Sequence, residues 1–192
     1  LDGMGALSGD CDQLDDELTS AEPWFFSNAI DFGDVAFDYH LLSEGGQEVY
    51  DDGNLGGSSL YSEIFAYEVL YRCELATLRK TEGEIVYLDE GGKKTDLLVE
   101  LDGIPIGVSV TRAYGYPPED PWTLEQATEL LDGKLGDVLL SSANVAAEDA
   151  WVKQILHVIA YTPGHAATVE EAWAEIDAAT RADTILLVTA TE

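Results

Sequence analysis

Asp102-Gly103 stands between two apolar runs, 95–101 and 104–112, and no other feature constrains the fold of this chain so strongly. A two-residue hairpin turn of this kind needs positive φ at both central residues, which Gly accepts freely and Asp tolerates. The pairing that follows sets Leu101 opposite Ile104, Glu100 opposite Pro105, Leu98 opposite Gly107, Asp96 opposite Ser109 and Lys94 opposite Thr111. Side chains alternate with a period of two. Lys94, Asp96, Ser109 and Thr111 are therefore expected on one face of the hairpin.

The flanking sequence supplies further elements. Leu60, Ile64, Tyr67 and Tyr71 recur at helical spacing, and Ser58 or Ser59 ahead of them, with Glu63 in the first turn, starts a helix over 59–73. The stretch 77–88 reads as a strand, separated from 95–101 by the turn Glu90-Gly91-Gly92. Prolines make 114–121 a loop, and Thr123 caps a long helix to about Leu140. The apolar run 154–161 is compatible with a buried strand or a helix; its Ile and Val content and its end at Thr162-Pro163-Gly164 favour the strand. Thr168 caps a helix over 169–179, with Glu170 and Glu171 where the helix dipole favours acids. The run 183–191 is apolar enough to be covered on both faces. The expectation is an α/β fold, a mixed central sheet flanked by helices in the order αβββαβαβ.

The first 57 residues differ from the rest. They hold 14 acids, half of the 18 glycines and no Lys or Arg, the first basic residue being Arg72. Their apolar clusters, such as Trp24-Phe25-Phe26, show neither helical nor alternating period. Residues 1–57 are thus expected to form an irregular acidic arm packed on an α/β domain of 58–192. Over all 192 residues, 9 basic against 38 acidic side chains leave a net charge of −29. Such a surface repels phosphate backbones and disfavours generic nucleic-acid binding. Halophilic adaptation would equally account for it. No apolar run approaches the ~18 residues that a membrane-spanning helix requires.

Cys11 and Cys73 are the two cysteines. Spacing alone leaves open whether they form a bridge or remain separate thiols. A start at Leu1 and a bridge would suit an exported protein, and reduced thiols a cytoplasmic one.

The order of elements from 58 to about 161 resembles the restriction-endonuclease-like superfamily, the PD-(D/E)xK nucleases. In that family an acid on the first helix, an Asp on the second strand and an (Asp/Glu)-x-Lys triplet on the third surround one or two divalent metals. Carried over, Glu63 takes the place of the helix acid and Asp96 that of the second-strand Asp. The triplet falls on Ser109-Val110-Thr111, so the second acid and the Lys are replaced. The resemblance implies Mg²⁺ or Mn²⁺ on Glu63 and Asp96. Ser109 and Thr111 would contribute hydroxyls, and Lys94, across from the usual Lys position, would supply the positive charge. Two functions follow: a metal-dependent phosphodiester hydrolase, or its catalytically degenerate scaffold, and a non-catalytic binding or assembly protein. The second would use the acidic arm to contact a protein partner or another copy of the chain.

Other motifs carry less. His40, His157 and His165 lack zinc-ligand spacing, and Gly53 to Gly57 lacks the Lys of a phosphate loop. Asp51-Asp52-Gly53-Asn54 and the acids of 31–38 offer oxygens but not the twelve-residue calcium-loop pattern.

Overall fold

A computed structural model describes residues 4–34, 36–54, 59–117 and 120–191. The expected boundary at 57–58 and the alternative cap Ser58 lie outside the described residues. The fold is α/β: a seven-stranded mixed sheet, β1-β2-β7-β6-β5-β4-β3, with helices on both faces. Along the chain come β1 (Ala6–Gly9), β2 (Trp24–Asp31), α1 (Glu44–Asp52), α2 (Leu60–Glu74), β3 (Thr77–Thr81), β4 (Leu97–Leu101) and β5 (Ile104–Ala113). There follow α3 (Leu124–Asn144), β6 (Lys153–Ala160), α4 (Pro163–Glu175), α5 (Ala178–Arg181) and β7 (Ile185–Thr191).

The hairpin forms as read. Asp102 and Gly103 adopt φ of 48° and 80°, and β4 and β5 pair from Leu101↔Ile104 to Leu97↔Val108. β5, β6 and β7 run parallel at the centre of the sheet, and every residue of β6 is buried. Alternation splits this strand between two cores. Ile155 and Ile159 pack towards α2, beside Ile64, Tyr67 and Leu70. Leu156, Val158 and Ala160 pack towards α3 and α4, beside Leu131, Leu135 and Val169.

The first 57 residues are not an irregular arm. They supply β1, β2 and α1, and Met4, Leu14, Leu18, Ile30 and Val49 belong to the α2-side core. β2 runs parallel to β7, Trp24 beside Ile185 and Ile30 beside Thr191. β1 closes that side of the sheet. The apolar run of β2 lacks an alternating pattern because the strand meets a core on each face, Phe26 and Ile30 on the α2 side and Phe25 and Ala29 on the α3 and α4 side.

Three of the ties that bind this segment to the rest lie near its start. Cys11 and Cys73 form a disulfide with Cα atoms 4.7 Å apart. The Glu74 carboxylate accepts from the backbone N–H groups of Asp12 (2.9 Å), Gln13 (3.2 Å) and Leu14 (3.1 Å). The buried Lys153 ammonium donates to the carbonyls of Ser20 (2.6 Å) and Glu22 (3.0 Å).

Two other elements differ from expectation. The strand expected over 77–88 stops at Thr81, where Glu84 N–H turns back to the Thr81 carbonyl at 3.0 Å. The last long helix begins at Pro163, not at 169, because Thr162 is its cap and accepts from His165 N–H. Thr168 lies inside that helix and donates to the Gly164 carbonyl. Thr-Pro here is a cap followed by a first-turn proline, whose missing N–H costs nothing at that position.

Candidate metal centre

β3 and β4 are antiparallel with Thr81 opposite Leu97, so the next residues outward, Glu82 and Asp96, emerge side by side. Glu63, in the first turn of α2, reaches the same point. One carboxylate oxygen from each of Glu63, Glu82 and Asp96 lies within 4.8 Å of the other two.

Each acid is held by its neighbours. Glu63 is buried, and its Oε1 accepts from Ser59 Oγ at 2.8 Å and Asn54 Nδ2 at 3.1 Å. Ser59 sits at the helix N-cap, but its side chain makes no cap hydrogen bond to the backbone; the hydroxyl orients the acid instead of stabilising the helix. Asp96 Oδ2 accepts from Val110 N–H at 2.6 Å. This bond adds to the one from Asp96 N–H to the Val108 carbonyl, at the point where the regular ladder with β5 ends. Tyr87 braces the approach: its hydroxyl accepts from Thr95 N–H at 2.8 Å.

The charges are uncomfortable together. Burial raises the Glu63 carboxyl above its ordinary value; the Asn54 and Ser59 hydrogen bonds oppose this, and repulsion from Glu82 adds to it. Asp96 is pushed up to about 7, chiefly by burial. The Val110 N–H pulls it down, Glu63 and Glu82 push it up, and Lys134 draws it slightly down. Oxygen donors gathered this closely, without imidazole or thiolate, suit a hard divalent cation such as Mg²⁺ or Mn²⁺.

Beside Asp96 lies a cavity of about 270 Å³. Lys94, Ser109 and Thr111 line it, as do Ser62 at the start of α2 and Lys134 on α3. The sequence-derived set is thus brought to one place, but not in the drawn register. Beyond Leu97↔Val108 the regular pairing stops. Ser109 Oγ instead meets Thr95 Oγ1 at 2.8 Å, and Lys94 pairs with Glu90 at 2.8 Å. The expected opposition of Asp96 to Ser109 and of Lys94 to Thr111 fails because Asp96 N–H donates to the Val108 carbonyl at 3.1 Å, one residue out of the drawn register, while its side chain accepts from Val110 N–H.

Glu82 and Lys134 escaped the sequence reading. The signal for Glu82 was Glu82-Gly83-Glu84, a turn placed inside an overlong strand. Lys134 carries no local signal, since only the packing of α3 over the sheet brings it to the cavity. The histidines contribute nothing to this centre: His157 is bonded to Thr189 Oγ1 at 2.7 Å, and His165 Nε2 lies 2.9 Å from the Asp120 carbonyl. Of the acids considered for calcium, Asp31 accepts from Gly33 N–H, Asp38 from His40 N–H and Asp51 from Tyr39 Oη, while Asp52 accepts from Thr81 Oγ1 and gathers with the exposed Glu48 and Glu84 within 4.8 Å.

No family model matches the chain, and no solved structure matches it. It is similar to the AAC-rich mRNA clone AAC4 protein of Dictyostelium discoideum, 38% identical over 154 residues. That match takes in 77% of this chain but only 22% of the relative, so the chain spans about a fifth of the relative's length. No helix among the described residues is long and apolar enough to cross a membrane.

Proposed function

We propose that this chain is a metal-dependent phosphodiester hydrolase of the restriction-endonuclease-like type, with Glu63, Glu82 and Asp96 as its cation ligands. The observation that carries the reading is their convergence within 4.8 Å beside a cavity that Asp96 lines together with Lys94 and Lys134. Glu82 supplies the acid that Ser109 fails to provide, from the end of β3 rather than from β5. Lys134 supplies the positive charge that Thr111 fails to provide.

A bound Mg²⁺ or Mn²⁺ would polarise a phosphoryl oxygen and lower the pKa of a bound water. The chain's own groups do the rest. Ser59 and Asn54 orient Glu63, and Val110 N–H orients Asp96. Lys134 reaches the cavity as a point charge able to offset negative charge developing on a phosphoryl group. Lys94, tied to Glu90 and lying 5.4 Å from the centre of the Tyr87 ring, is more constrained. The disulfide supports an oxidising compartment for this activity, and so an exported protein.

The reading is tested by titrating Mn²⁺ into the intact chain by calorimetry and assaying cleavage of a panel of nucleic acids. Wild type is expected to bind the ion and cleave; Asp96→Asn and Glu82→Gln each lose at least tenfold in affinity, and Lys134→Met loses cleavage with binding retained. Absence of binding heat for both Mn²⁺ and Mg²⁺ overturns the proposal and leaves the degenerate, non-catalytic scaffold.

A further inference from the structure

β5 outruns β4. Its pairing with β4 ends at Val108, whereas its pairing with β6 continues to Ala113. The last residues of β5 therefore border a notch on the β4 side, walled by the N-terminal turn of α2 and by α3. The cavity beside Asp96 occupies the near end of this notch. A second cavity, of about 470 Å³, occupies the far end. The two share Thr111 and Arg112 as lining residues, so they adjoin along the end of β5.

The chemistry changes along the groove. Near the acids it offers Lys134 and Lys94. In the middle stands Arg112, its guanidinium 5.4 Å from the centre of the Tyr114 ring. At the far end Tyr114 and Trp122 line the cavity together with Glu129. From Val110, which holds Asp96, to Ala113 the strand rises about 10 Å at roughly 3.3 Å per residue. That is a span of one to two nucleotides.

We propose that this groove binds the end of a single-stranded nucleic acid, its terminal base between Tyr114 and Trp122 and its adjoining phosphates directed past Arg112 towards Glu63, Glu82 and Asp96. The proposal rests on the metal-centre reading for what happens to the strand, but its binding site stands on separate residues. Aromatic rings accept the face of any base. Glu129 repels a phosphate yet accepts from an exocyclic amine, so a base rather than phosphate suits the far end. A single strand also fits the charge. With a net charge of −29, the chain lacks the basic surface that tracks a duplex backbone, and the groove asks for only a few phosphate contacts.

The test measures fluorescence anisotropy of a labelled, unstructured ten-nucleotide DNA and of its duplex, with Ca²⁺ replacing Mg²⁺ to suppress cleavage. Single strand is expected to bind at least tenfold more tightly than duplex. Tyr114→Ala should weaken single-strand binding about tenfold, and Tyr114→Phe should restore it. Tyr114 is partly exposed and lies outside both cores, so the folded state is expected to survive, which a melt verifies. Arg112→Gln should lower the salt slope of single-strand binding by about 0.7. Equal affinity for duplex, or a Tyr114→Ala variant that binds like wild type, overturns the groove proposal. If Mn²⁺ binds and the strand is cut while Tyr114→Ala changes nothing, the groove falls and the metal centre stands. If Mn²⁺ does not bind while the Tyr114 dependence holds, the groove stands and the hydrolase reading falls.

Discussion

Replacing Asp96 by Asn tests the crowding of acids directly. The substitution keeps the shape of the side chain and an oxygen for the Val110 N–H bond at 2.6 Å, and removes one charge from the cluster. In the folded chain the carboxyl is pushed from its ordinary 3.8 to about 7. Below pH ~4 it is protonated in folded and unfolded chains alike, and it costs nothing. As the pH rises from ~4 to ~7 the unfolded chain ionises first while the folded chain keeps its proton, so stability falls; above ~7 the full cost is present. A gap of this size corresponds to about 4 kcal/mol, and solvent screening of a half-buried group reduces it to about 2–4 kcal/mol. For a domain of this length that is a shift in Tm of about 5–10 °C. The assay is a series of thermal melts of wild type and Asp96→Asn from pH 4 to 8 in EDTA, then in Mn²⁺. The variant should match wild type near pH 4 and melt higher near pH 8 in EDTA. Mn²⁺ should raise wild type by about 2.7 kcal/mol at a hundredfold excess over its Kd, and the variant by less. Melts of wild type and variant that run parallel across this pH range would refute the electrostatic argument.

Four further outcomes are expected. Cys11→Ser/Cys73→Ser should destabilise the chain by about 4 kcal/mol, the chain-entropy value for a loop of this length, seen as a fall in urea midpoint that reducing agent reproduces in wild type. Gly103→Val should cost about 1–2 kcal/mol in urea melts; its φ of 80° strains a β-branched residue, while no heavy atom lies within 4 Å of the new Cβ. Lys153→Met should cost about 1–3 kcal/mol by the same measurement, because the Ser20 and Glu22 carbonyls lose their buried donor. His157 should stay neutral from pH 4 to 8 in ¹⁵N spectra, burial having lowered it to about 3. Since Thr189 Oγ1 donates to Asn28 Oδ1 at 2.6 Å, its proton should sit on Nε2.

Much of the fold was legible because local rules wrote it. Asp102-Gly103 specified its hairpin and five pairings on either side of it. Thr123 caps α3 as expected, through a capping box with Gln126, and α2 begins within a residue of its predicted start. The misreadings share a cause. β2 pairs with β7 across most of the length of the chain, and a strand covered on both faces need not alternate. Thr162-Pro163 can end a strand or open a helix, because Pro serves both purposes, and the choice depends on whether the following residues find a core.

The site divides along the same line. Glu63 and Asp96 follow from helix start and hairpin register, which are matters of short-range geometry. Their union with Glu82 and Lys134 is not short-range. It requires β3 to end at Thr81, the Asp96 side chain to bond to Val110 N–H beyond the regular ladder, and α3 to lie across β5. Those conditions are set by burial on both faces of the sheet, and burial is a property of the whole chain. The same holds for the acidic first third. Its charge and its cysteine are plain in the sequence, whereas its place inside the sheet comes from β7, more than 150 residues further along.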